Sequence, residues 1–227
     1  MRKFLNLKEE KMNSSNQNRF PDGPLKRSAE KSKEEELSPM SPPDPYSPQT
    51  LEKIPFENMH PFLKKLINEH SQLSMVLNEF ENALIAWRTN NWIFNKEIDE
   101  RLRNFFEFYD EHIVEHHNKE EKILFPILNE RLMESGEHSK GEKLSTAIDL
   151  MEDEHIKIAQ AVALVFNFLG LGSRLSDPKS KEITFESAFD QGIAVVETLR
   201  LHIHREDNIL FLQAMHLFSE ADFDKLI

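Results

Sequence analysis

From Pro55 onward, large apolar residues fall three and four positions apart in four stretches, and each stretch has polar residues where an apolar one is due. The first row runs Leu63, Leu66, Leu73, Leu77, Phe80, Leu84 and Trp87, and the position it skips is His70. The second runs Ile98, Leu102, Phe105, Tyr109, His112 or Ile113, His116, Glu120, Ile123 and Ile127. A third, Leu144, Ile148, Met151, His155, Ile158, Val162, Val165 and Leu169, again holds one histidine. The fourth is Phe185, Phe189, Val196, Leu199, His202, Glu206, Ile209 and Gln213. Rows of this period mark the inward faces of four amphipathic helices. Breaks fall at Thr89-Asn90-Asn91 with Asn95, at Ser135-Gly136, and in a longer loop from Gly170 to Pro178. Short connections favour antiparallel neighbours, so the expected fold is all-α, an up-down-up-down antiparallel four-helix bundle over residues 53–227. Pro126 should kink or end the second helix. Its counterpart in the fourth is Leu212, so the irregularity is expected in one helix only.

Residues 1–52 are different in kind. They are rich in Pro and Ser, poor in large apolar residues, and include the run Ser-Pro-Met-Ser-Pro-Pro-Asp-Pro-Tyr-Ser-Pro, which predicts a disordered tail. Met12 is an alternative start. The whole chain, at 39% hydrophobic and 30% charged residues, suits one domain plus such a tail. Residues 1–50 carry nine basic against eight acidic side chains, leaving 19 against 32 in the remainder, a net charge of −13. A folded part this acidic lacks the basic patch that nucleic-acid binding requires. There is no run of eighteen apolar residues and no apolar leader, so no membrane span is expected and a cytoplasmic location is. The absence of cysteine excludes disulfides, thiolate zinc sites and iron–sulfur ligation. Any metal must be held by His, Asp or Glu.

Such residues recur in order. His116-His117-Asn118-Lys119-Glu120-Glu121-Lys122-Ile123-Leu124-Phe125 returns as His202-Ile203-His204-Arg205-Glu206-Asp207-Asn208-Ile209-Leu210-Phe211. Upstream, His70 precedes His116 by 46 residues and His155 precedes His202 by 47, each directly after a glutamate, Glu69 or Glu154. Residues four apart on a helix lie about 40° apart around it and about 6 Å along it, so each His-x-x-x-Glu leaves one face. A single histidine on an apolar face is more often a satisfied core residue than a ligand. Here four imidazoles and two carboxylates converge, and buried carboxylates cost several kcal/mol, roughly, unless something positive compensates them. The metal candidates are therefore His70, His116, Glu120, His155, His202 and Glu206, with His112, one turn before His116, as a possible seventh. His117 and Glu121 form a competing pair, but Ile203 stands at the position of His117 in the repeat. Glu121 and Asp207 either accept from the second N–H of a ligand imidazole or are solvated charges.

Four nitrogens and two carboxylates without sulfur suit iron or manganese, with zinc also possible. If both carboxylates bridge two ions, about four of twelve coordination positions remain for solvent, an oxo bridge or a substrate. An open, paired, redox-active site follows.

The ordered set His70, His116/Glu120, His155, His202/Glu206 resembles the hemerythrin-like (HHE cation-binding) family, over about residues 56–216. Ferritin-like proteins use Glu-x-x-His instead. The resemblance implies a left-handed four-helix bundle around an oxo- or hydroxo-bridged pair of non-heme iron ions, with Glu120 and Glu206 as bridges. It also implies binding of O2, NO or peroxide for sensing, buffering or detoxification. Two alternatives stand beside it: a di-iron enzyme acting on those molecules, including repair of damaged iron centres, and a helical interaction module with a structural metal site. Ala159 stands where oxygen-carrying members have a further histidine, and the carboxylate spacing in the fourth helix is four, where theirs is five. The chain also lacks the cysteine of repair members that carry an added N-terminal domain.

Overall fold

A computed structural model describes residues 52–140 and 144–226, so the tail expected over residues 1–52 lies outside the described residues except at Glu52. Helix α1, Pro61–Thr89, starts where the His60 side chain accepts from the Phe62 N–H and Pro61 takes a position whose N–H has no helical partner. The chain then reverses through Asn91 and Trp92, both at positive φ, and the Trp92 ring meets Trp87 edge-on at 4.9 Å. Helix α2 begins after Asn95, whose side chain accepts from the Ile98 N–H. It is one rod of three α-helical parts, Lys96–Phe108, Val114–Lys119 and Phe125–Ser135, joined by π-turns at Tyr109–Ile113 and Glu120–Leu124. It ends at Gly136, whose φ of 83° is a left-handed conformation that glycine adopts without strain.

Helix α3, Ala147–Arg174, opens on a reciprocal cap between Thr146 and Asp149. Helix α4 comprises Pro178–Arg205, a π-turn at Glu206–Leu210, and Phe211–Leu217. A short α5, Glu220–Phe223, follows, so the described fold has five helices and not four. Asp222 of α5 is buried and clamped by Arg131 of α2 through two hydrogen bonds of 2.9 and 3.0 Å. Among the described residues there is no strand.

Two expectations need correction. The loop predicted from Gly170 to Pro178 is helix as far as Arg174. Gly172 is not a breaker but a contact: a Cβ there would lie 2.3 Å from the ring of the buried Phe185, so its absence lets α3 and α4 approach. The irregularity expected at Pro126 alone occurs in both repeats. The Phe125 N–H bonds to the Glu120 carbonyl and the Phe211 N–H to the Glu206 carbonyl, five residues back in each case. Since Leu212 stands where Pro126 does in α2, proline is not what makes the turn. A π-turn takes up one extra residue. The rows therefore slip by one beyond each glutamate, and Leu124, Leu128 and Leu210 are buried in place of the predicted Ile123, Ile127 and Ile209.

Apolar residues gather in two clusters. One holds Leu73, Leu77, Ile113, Ile158 and Leu199; the other holds Leu66, Leu124, Met151 and Leu210. The skipped histidine of each row lies between them, and successive helices run from one cluster to the other in alternating directions. Helix α1 packs on α2 and α4, and α3 packs on α4. Helix α3 is long and apolar enough to cross a membrane by length and composition, with a mean hydropathy of 1.5 over 18 residues. Lys157, Gln160 and Asn167 interrupt it, so it holds no unbroken apolar run of that length, and Glu154 and His155 of the same helix are buried.

The two glycines of α3 should respond oppositely to alanine. Gly172→Ala should destabilise by about 1–3 kcal/mol, because the ring of the buried Phe185 must shift to admit the methyl. Gly170→Ala, with nothing within 4 Å of the added methyl, should stabilise by about 0.5–1 kcal/mol. Urea denaturation of both variants checks this, and equal shifts would contradict the packing described.

Candidate metal centre

Each long helix delivers its polar positions to the layer between the two apolar clusters. His70, His116, His155, His202, Glu120 and Glu206 are all buried, and both glutamates are 0% exposed. Their donor atoms fall into two groups of four, His70/His116/Glu120/Glu206 and His155/His202/Glu120/Glu206, each with its atoms within 4.8 Å of one another. The two groups share both carboxylates. Each group can hold a metal ion.

The imidazoles are oriented from outside. His70 Nδ1 lies 2.7 Å from Asp207, His116 Nδ1 2.8 Å from Glu69, His155 Nδ1 2.8 Å from Glu121, and His202 Nδ1 3.1 Å from Glu154. An ionised carboxylate only accepts, so each Nδ1 carries the donated proton and each Nε2 is turned inward. Two of the acceptors are themselves held by cations three residues after a site histidine. Lys119 donates to Glu69 at 2.8 Å, and Arg205 donates to Glu154. Lone glutamates before His70 and His155 were visible in the sequence, but their role was not. The signal was that each Glu-His pair is duplicated and that a basic residue follows each His116 and His202 at the same spacing.

The interior of this layer fits a cation. His70 Nε2 lies 2.9 Å from His116 Nε2, and His155 Nε2 lies 3.1 Å from His202 Nε2. Two nitrogens bound at right angles to one ion at about 2.1 Å lie about 3 Å apart, which matches both pairs. All four oxygens of Glu120 and Glu206 are buried without a hydrogen-bond partner among the described residues. Buried carboxylate oxygens left so are costly, and a positive ion between them removes the cost.

Charge in the metal-free layer is correspondingly strained. Burial, and then the neighbouring Glu206 charge, push Glu120 well above the usual carboxylate range. Burial also opposes the Glu206 charge, but His202, His155 and His70 outweigh it and hold Glu206 well below that range. His70 and His202 are raised to about 9: burial works against their charge, and the carboxylates Glu206, Asp207 and Glu154 overcome it.

The remaining histidines separate. His112 is exposed, rests on Phe108 at 4.7 Å, and belongs to neither group. Its neighbour Ile113, the other residue the row allows there, is buried instead. His117 was set aside in the sequence because Ile203 stands at its place in the repeat, yet it is buried and stacks on His155 with ring centroids 3.7 Å apart. Burial, and then His155, His202 and His116, push it well below the ordinary imidazole range. His204 is exposed and bonded to Asn208, while His60 caps α1 and His216 is exposed.

Stability of the metal-free protein should fall as pH rises. The contribution of His70 and His202, raised to about 9, is fully present below their ordinary value of 6.5 and is lost as pH passes through 9. Glu120 acts in the same direction, since a carboxyl held protonated in the fold costs stability wherever the unfolded chain has already ionised. Added metal should flatten or reverse the slope, because ligands bind deprotonated. Thermal melts from pH 6.5 to 9, with chelator and with metal, check this; a metal-free midpoint that climbs with pH would contradict it.

A family model described as the hemerythrin HHE cation binding domain matches residues 63–214. A comparison with curated proteins returned no match. The matched span takes in both groups of donors and every helix that carries them, and the chain belongs to the hemerythrin HHE cation-binding domain family.

Proposed function

We propose that this chain is a non-heme di-iron protein that binds O2, NO or peroxide for sensing, buffering or detoxification. In this reading the four long helices form an up-down-up-down bundle, Glu120 and Glu206 would serve both ion positions, and His70 with His116 and His155 with His202 would complete one each. The observation that carries it is the pair of four-donor groups sharing both carboxylates. A single ion would not need two complete sets. Donors of this kind, nitrogen and carboxylate without thiolate, favour iron or manganese, and the family favours iron.

When bound, a pair of iron ions supplies open coordination positions and one-electron chemistry for a small ligand. The chain does the rest. Asp207, Glu69, Glu121 and Glu154 hold the imidazoles in one tautomer and one orientation. Leu66, Leu124, Met151 and Leu210 on one side and Leu73, Ile113, Ile158 and Leu199 on the other exclude bulk water from the layer. Of two surface cavities, one of about 470 Å³ is lined by Glu69, Lys119 and Ile113 and so lies just outside the His116 position, one of about 740 Å³ lies between α2 and α3, and none of the six proposed ligands lines either. A centre enclosed in this way suits a ligand of two or three atoms.

Protein loaded with ferrous ion under nitrogen should hold two irons per chain, and His116→Ala/His202→Ala should hold fewer than one while retaining its helical circular dichroism. Exposure to O2 or NO should give optical bands that reverse when the gas is removed. Fewer than one metal per chain in the unaltered protein would overturn the di-iron reading. Rapid irreversible oxidation with steady consumption of peroxide would replace the binding role by an enzymatic one.

A further inference from the structure

Resting on the di-metal reading above, we propose that the two ion positions are unequal, because His117 supplies a third imidazole to the ion between His155 and His202 and nothing comparable serves the other.

His117 follows His116 on α2 and is turned about 100° from it around the helix. His116 consequently meets Glu69 and His70 of α1, whereas His117 meets His155 of α3 and His202 of α4. The donor atoms of His117, His155 and His202 lie within 4.8 Å of one another, a third metal-competent grouping that overlaps only one of the two sets of four. His117 is 8% exposed. Unlike the four other imidazoles of the layer, it has no carboxylate on either ring nitrogen and no hydrogen bond among the described residues. A neutral imidazole keeps one ring nitrogen with a free lone pair, and no group among the described residues occupies the one on His117, so it is available to an ion beside it. In the other repeat the same position is Ile203, packed in the apolar cluster, and the His70/His116 set contains no third histidine. The asymmetry therefore arises from a single departure between two otherwise matching halves.

A purely apolar role for His117 predicts something different. Its ring lies parallel to His155 within 12°, and if stacking were its whole contribution, phenylalanine would serve as well. His117→Phe keeps the flat ring and removes both nitrogens, so it separates the two roles.

The test is anaerobic titration of the full chain with ferrous ion, followed by calorimetry and native mass spectrometry, with Mössbauer spectra of the ⁵⁷Fe-loaded protein. The unaltered protein should take up two ions in distinguishable steps and show two unequal iron environments in equal amounts. His117→Phe should weaken one step by about tenfold or more, leave the other unchanged, and bring the two iron signals together. Circular dichroism melts of the metal-free variant establish that it folds, and His117→Gln offers a second replacement should it not. If His117→Phe retains both affinities and both signals, the inequality is not due to His117 and the inference fails while the di-iron reading stands. If the unaltered protein takes up no pair of ions, the di-iron reading itself fails.

Discussion

Two carboxylates, Glu120 and Glu206, meet in the interior, and none of their four oxygens has a hydrogen-bond partner among the described residues. No described residue neutralises both; one is driven toward protonation and the other is held charged by three imidazoles. The rest of the structure answers this constraint. It splits the apolar core in two, so that one polar layer can exist between two packed regions. It also surrounds that layer with four outward acceptors, which turn each imidazole's Nε2 toward the carboxylates.

The duplication is cross-wired. His70 of the first half is steadied by Asp207 of the second, and His155 of the second by Glu121 of the first. Glu120 and Glu206 each lie next in sequence to one of these acceptors. The halves are thus not separate metal-binding hairpins placed side by side. Orientation of either imidazole pair requires both to be folded, and the layer is formed only by the whole domain.

Much of this was legible in the sequence. The buried face of α1 is the predicted row, His70 included, and the six converging donors lie at the predicted numbers. What escaped was of two kinds. A π-turn has no sequence signature at the level of apolar spacing, so Ile123, Ile127 and Ile209 were placed inward when their neighbours were. Gly172 reads as a loop residue by composition and is a helix contact by packing, a distinction only the Phe185 ring makes. His117 was discounted by symmetry, and the departure from symmetry is what gives it meaning.

The π-turns at Glu120–Leu124 and Glu206–Leu210 carry a consequence for anyone who would move this centre into another scaffold. The ligand layer and the leucines beyond it are out of phase by one residue. A regular helix with the same His-x-x-x-Glu would turn its following leucines away from the partner helices. A faithful transplant must therefore carry the extra residue along with the ligands, and an alignment that treats it as a dispensable insertion would delete the phase shift that lets the polar layer and the core coexist.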